Sequence, residues 1–204
     1  MTILIKHFKY IIATVLTILS FSSIQAESNP QIIINNATSL MMGELKTNQA
    51  LLKEDSTIVP EIVERLLLPH FASKTIARKV LGKHARKATD EQKEQFAEAF
   101  RGYMIRFYSN AFAEYSNETV EYLRTPDYES KKRVYVRTKL NRSTGAAIPI
   151  DYRLQRSGDS WKIIDIKIEG ISLVISNRTQ FGSSIARDGL DTVIAKLQYK
   201  NDNQ

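Results

Sequence analysis

Apolar positions recur along this chain with two different periods. From Pro30 to about Tyr115 the spacing is that of a helix, and from residue 117 it shortens to two. The stretch "TDEQKEQFAEAFRGYMIRFYSNAFAEY" is the clearest helical case. Thr89 and Gln92 have capping-box spacing, after which Phe96, Phe100, Tyr103, Met104, Phe107 and Ala111 fall on one stripe. A long helix over about 90–114, aromatic on its inner face, is predicted. Before it, "IVPEIVERLLLPH" reads as a helix with Pro60 near its start, ended or kinked by Pro69. "SKTIARKVLG" reads as a short helix stopped by Gly82, and a first helix covers about 30–53.

The second half alternates. "ETVEYL", "KKRVYVRTKL", "AIPIDYRLQR" and "WKIIDIKIEG" are separated by the turn-rich "TPDYES", "NRSTGA" and "RSGDS", which predicts an antiparallel meander of about four strands. At Gly170 the parity changes. Ile164, Ile166 and Ile168 alternate with charges before it, and Ile171, Leu173 and Ile175 carry the alternation after it, with Val174 added, so a bend is expected there. Beyond Asn177 the helical period returns, with Leu190, Ile194 and Leu197 following the Asp188–Gly189 break. Val134, Val136 and Leu140, then Ile148, Ile150, Tyr152 and Leu154, then Ile164, Ile166 and Ile168 define one broad β-branched sheet face. Two arrangements satisfy that face. The helices over 90–114 and 30–53 fill it as a solid core, or a bent sheet and the aromatic helix enclose a cavity for an apolar ligand. Periodicity does not separate them.

The first 26 residues stand apart. "MTILIKHFKY" carries Lys6 and Lys9 without an acid, "IIATVLTILSFSSI" is apolar but short, and Ala26 suits cleavage, so residues 1–26 read as a signal peptide and 27–204 as a single domain. A retained anchor would need about 20 uninterrupted apolar residues. Loss of Lys6 and Lys9 takes the formal charge from +7 to +5. A basic exported chain meets anionic lipid or acidic protein, not nucleic acid. The chain has no cysteine, so thiol catalysis, cysteine-ligated metal and disulfides are excluded, and a periplasmic location fits.

Signals for catalysis are absent. His70 and His84 are the two histidines beyond the leader and do not have metal-ligand spacing, and there is no G-x-S-x-G turn and no glycine-rich phosphate loop. Asp151 and Asp165 fall on adjacent strands. They read either as a carboxylate pair or, because lysine and arginine interleave with both, as part of a solvated charged face.

Three segments carry a family likeness: "LLLPHFASKTIARKVLGKHARKATDEQKEQFAEAF", "IPIDYRLQRSGDSWKIIDIKIEGISLVISNRTQF" and "GLDTVIAKL". In order and spacing, from about Ile62 to Leu197, they resemble the MlaC, or toluene-tolerance, family of periplasmic phospholipid-binding proteins. The chain departs from the family pattern at Ala72, Ser73, Ala85, Ser176 and Asn177. The resemblance implies an α+β fold with a helical N-terminal half, a twisted antiparallel sheet and C-terminal helices, forming a nuclear-transport-factor-like cone around an apolar pocket. It implies a carrier with no catalytic residue, no metal and no cofactor, whose cargo is phospholipid. Its partners would be an outer-membrane Mla lipoprotein complex and an inner-membrane Mla ABC transporter with an MCE-domain subunit. Another apolar cargo such as a hopanoid, or an enzyme on the same cone, remains open. On the faces above, the expected lipid contacts are Phe100, Met104, Phe107, Val134, Val136, Ile148, Ile150, Tyr152, Ile164, Ile166, Ile168 and Val174. Arg137, Lys139 and Arg153 are the candidates to meet a headgroup phosphate.

Overall fold

The computed structural model describes residues 29–54, 58–113, 118–125 and 127–203. The expected signal peptide, 1–26, lies outside the described residues. Helix α1 (Pro30–Thr47) opens with Pro30 at its first position, and the Asn29 side chain accepts from the Gln31 N–H at 2.9 Å. Helices α2 (Gln49–Glu54) and α3 (Ile58–Leu66) follow. Pro69 then shortens the chain into a 3-10 turn, Leu68–His70. Helix α4 (Ser73–Leu81) stops at Gly82, whose φ of 53° suits glycine. The capping box forms as expected at α5 (Asp90–Ala113): Gln92 N donates to Thr89 Oγ1 at 3.1 Å, and Thr89 N to Gln92 Oε1 at 3.0 Å.

The sheet is an antiparallel meander of β1 (Thr119–Tyr122), β2 (Arg133–Asn141), β3 (Ile148–Ser157), β4 (Ser160–Ile168) and β5 (Ile171–Ser172), in that spatial order. Glu169 and Gly170, with φ of 51° and 83°, make the two-residue turn between β4 and β5, the geometry a tight hairpin requires. The alternation read beyond Gly170 is corrected here. β5 lasts two residues, and Leu173 begins helix α6 (Leu173–Asp188), followed by α7 (Leu190–Asp202).

Two side chains start α6. Ser172 Oγ accepts from Ile175 N at 3.1 Å and donates to Asp165 Oδ2 at 2.7 Å, while Asp165 Oδ1 accepts from Val174 N at 3.1 Å. A buried carboxylate on β4 thus satisfies the first turn of a helix and faces its positive end. Asp165→Ala, which strands the Ser172 hydroxyl and the Val174 N–H, is expected to lower unfolding free energy by about 1–3 kcal/mol in a urea titration.

The buried apolar residues fall into three clusters. One joins α4, α5, α6 and α7 through Val80, Phe96, Phe100, Phe181, Ile194 and Leu197, with Phe181 edge-on to Phe96, Phe100 and Tyr103 at ring separations of 5.9, 5.7 and 5.4 Å. The second seals one end of the sheet: Ile34 meets Val134, Val136, Leu154, Trp161 and Ile163. The third joins α1, α3 and α5 through Met41, Leu45, Val59, Val63 and Ile105. The clusters do not merge. Phe100, Ile34, Ile163, Met41, Val63 and Ile105, drawn from all three, face a common open space.

Candidate functional site: an apolar cavity

That space is a cavity of about 510 Å³ between the apolar face of the sheet and the helices. Ile34, Ala37, Met41 and Met42 of α1 form one wall, and Ala97, Phe100, Met104 and Ile105 of α5 another. Leu67, Leu68, His70 and Phe71, held against the sheet by Ala72 N donating to Ile163 O at 2.9 Å, complete the helical side. The sheet contributes Val120, Thr138, Leu140, Ile148, Ile150, Tyr152, Ile163, Ile166 and Ile168, and α6 adds Leu173, Val174 and Asn177.

Burial gives the cavity a direction. Along β2 the inward residues run from Val134 and Val136, both buried, through Thr138 to the half-buried Leu140, and then to exposed Arg142 in the loop toward β3. The closed end therefore lies at Val134, Leu154 and Trp161, and the open end at the β2–β3 loop, where Arg142 and Glu118 border the cavity.

Of the expected lipid contacts, Phe100, Met104, Ile148, Ile150, Tyr152, Ile166, Ile168 and Val174 line the cavity. Four do not. Val134 and Val136 share the inward face but lie in the sealed end, packed with Trp161 and Leu154. Phe107 is 58% exposed, because the aromatic stripe drifts around α5 and its last ring lies outside, tilted against Tyr103 and edge-on to Tyr108. Ile164 is displaced by a register shift between Arg153 and Leu154. Leu154 pairs with Ile163 and Arg153 with Asp165, which leaves Ile164 as the extra residue of a bulge and gives its expected place to Ile163.

The expected headgroup residues are all corrected. Arg137, Lys139 and Arg153 occupy the outward positions of β2 and β3, on the opposite face from the cavity. Basic side chains that do border it are Arg142 and Arg101, the latter paired with Glu64 and Glu98. Alternation with Val136, Leu140, Tyr152 and Leu154 already puts Arg137, Lys139 and Arg153 on the face opposite the apolar one. The contribution of α1 was also missed, because its stripe reads equally well as core filling.

Polar atoms reaching the cavity are few and mostly partnered. Thr38 Oγ1 bonds the Tyr122 hydroxyl, and Thr138 Oγ1 donates to Ile150 O at 3.0 Å. Asp165 reaches the wall, but both its oxygens are taken up in starting α6, which removes it as a free base. Asp151 points outward between Arg137 and Lys167, so the two aspartates form no pair. Burial and then Lys162 hold His70 below the usual imidazole range, which favours its neutral form. Burial also pushes the Tyr152 phenol up, and burial with nearby Tyr103 pushes Tyr108 up to about 12.

A phenol whose folded pKa is raised stabilises the fold fully below its unfolded value near 10 and loses that contribution as pH rises through about 12. In a 295 nm absorbance titration, Tyr108→Phe is expected to remove one tyrosine's signal near pH 12 and leave the ordinary component near pH 10 unchanged.

A meander sheet folded with helices around a one-ended apolar cavity is the build of a container for an elongated apolar ligand. The chain belongs to the MlaC family: the pattern defining the MlaC protein matches residues 35–199. It is 31% identical over 169 residues to the toluene tolerance protein Ttg2D of Pseudomonas putida, covering 81% of this chain and 77% of that protein. It is 26% identical over 176 residues to the intermembrane phospholipid transport system binding protein MlaC of Haemophilus influenzae, covering 85% and 82%. Its fold matches a phospholipid-binding protein from Ralstonia solanacearum, solved in complex with a phospholipid. The TM-score is 0.77 at 27% identity, over 85% of this chain and 97% of that one.

Proposed function

We propose that this protein is a periplasmic phospholipid carrier. Its acyl chains would lie in the cavity and its headgroup at the open end, and it would move lipid between the outer-membrane lipoprotein complex and the inner-membrane ABC transporter, with its MCE-domain subunit, of an Mla-type system. The observation that carries this reading is the cavity itself, one-ended and apolar, in a fold shared with a protein solved holding a phospholipid. In this reading residues 1–26 direct export and are removed, leaving a chain that begins near Glu27. Among the described residues no helix is long and apolar enough to cross a membrane.

Two acyl chains of roughly 28 methylenes represent on the order of 20 kcal/mol against water, which makes unassisted crossing slow. A carrier has only to match the bilayer interior, so loading and unloading are nearly balanced. At the rim, Arg142 donates from Nε and Nη2 to Ala146 O at 3.3 and 3.0 Å, which leaves Nη1 available to a phosphate oxygen. The residues of the cavity hold and shield cargo; none is assigned a reacting role.

The test is transfer of fluorescent phosphatidylethanolamine from donor to acceptor vesicles. The protein is expected to raise the rate in proportion to its concentration. A rate equal to spontaneous exchange would overturn the carrier reading.

A further inference from the structure

We propose that the outward face of β2 and β3, with Lys167 of β4 beside it, is a docking surface for an acidic protein partner, used while the mouth of the cavity stays uncovered. This goes beyond the carrier reading and does not depend on what the cavity holds. Outward positions of β2 and β3 carry no buried residue, and Arg133, Arg137 and Lys139 among them are exposed. On this face the ring of Tyr135 has three cations over it: Arg137 at 5.9 Å, Arg153 at 5.8 Å and Lys167 at 5.7 Å. Arg133 stands two residues before Tyr135 and reaches only the neutral Gln155, at 3.4 Å.

Among the described residues none of these four cations is in an ion pair, although Lys139 beside them meets Glu121 at 3.9 Å. Asp151 stands between Arg137 and Lys167 in the ladder, and Asp165 opposite Arg153, yet neither forms an ion pair with them. Asp165 is occupied with Ser172 and Val174. The Nε of Arg153 is buried and has no acceptor. Crowding is felt at the margin: Lys79 of α4 is held below the usual lysine range by burial and then by Arg153 and Arg133. Like charges gathered this closely repel, and a partner's carboxylates would relieve them.

The chemistry favours protein over bilayer. Membrane surfaces capture proteins that set apolar side chains beside their cations. Here the aromatic residue, Tyr135, is half-buried beneath guanidinium and ammonium groups, and the exposed Phe107, Ile171 and Ile175 belong to α5, β5 and α6. Arginines spaced along neighbouring strands suit bidentate pairing with carboxylates. Because residues alternate, Thr138, Tyr152 and Ile166 line the cavity while their neighbours Arg137, Arg153 and Lys167 face the other way. A partner held from behind therefore leaves the cavity accessible.

The test compares Arg137→Glu with Lys167→Glu, as a double variant, against a control of equal charge change at exposed Lys46 and Lys200. Binding to an immobilised deca-glutamate peptide and to vesicles of phosphatidylglycerol in phosphatidylcholine is measured, with melting temperature and bound lipid recorded for each protein. Arg137→Gln with Lys167→Gln serves if charge reversal impairs folding. The surface variant is expected to bind the peptide about tenfold more weakly, and the control less than about twofold, with the difference vanishing as salt rises to about 0.5 M. Equal losses in both variants would reduce the effect to net charge and overturn the proposal. So would a selective loss of vesicle binding, which would assign the face to a membrane.

Discussion

Replacing Ile150 with tryptophan is expected to leave the protein folded and nearly empty. Ile150 lines the cavity opposite Thr138, where added bulk extends into open space. Co-purified phospholipid should fall by about tenfold or more, since an indole occupies volume the acyl chains need, while the melting temperature of the empty protein holds or rises as apolar surface is covered. Val136 supplies the contrast. It lies on the same face, one inward position closer to the sealed end, fully buried and packed with Trp161 and Leu154. Val136→Trp therefore overpacks a closed core and is expected to cost about 1–3 kcal/mol or more. Thermal melts and phosphorus assays on the two variants separate a cavity from a solid core. Unfolding by both would mean the space at Ile150 is filled by protein.

Trp161→Ala is expected to be the most destabilising single truncation, by about 3–5 kcal/mol. Its ring is buried at the sealed end, with the Arg156 guanidinium 4.5 Å from the ring centroid on one side and the Val134–Leu154 cluster on the other. Phe107→Ala, equal in chemistry on paper, should stay within about 1 kcal/mol, because that ring is already more than half exposed. Urea titrations of both variants check the pair, and a comparable loss for each would contradict the placement of Phe107.

What the chain discloses about itself divides along local and non-local lines. The capping box at Thr89 and Gln92, the break at Pro69, the stop at Gly82 and the four longer strands are local, and they were legible from residue type and spacing. The start of α6 was not. Leu173, Val174 and Ile175 alternate as well in a strand as in a first helical turn, and the choice is made by Asp165, eight residues upstream of Leu173 and brought close only by the β4–β5 hairpin. The bulge at Ile164 is likewise set by pairing with β3, and one inserted residue was enough to move Ile163 into the cavity. Within the candidate site, alternation groups Ile148, Ile150 and Ile168, and the structure places all three on the cavity wall. Which cation borders the mouth was not legible, because Arg142 lies past the end of β2 and is placed by the fold of the β2–β3 loop, which has no periodicity to read.

Native mass spectrometry of protein purified without detergent decides whether the cavity of this protein carries phospholipid. The expected spectrum shows the polypeptide with a discrete extra mass matching one phospholipid, released on collisional activation and reduced in Ile150→Trp. A wild-type spectrum of bare polypeptide, unchanged after incubation with phospholipid vesicles, would contradict it.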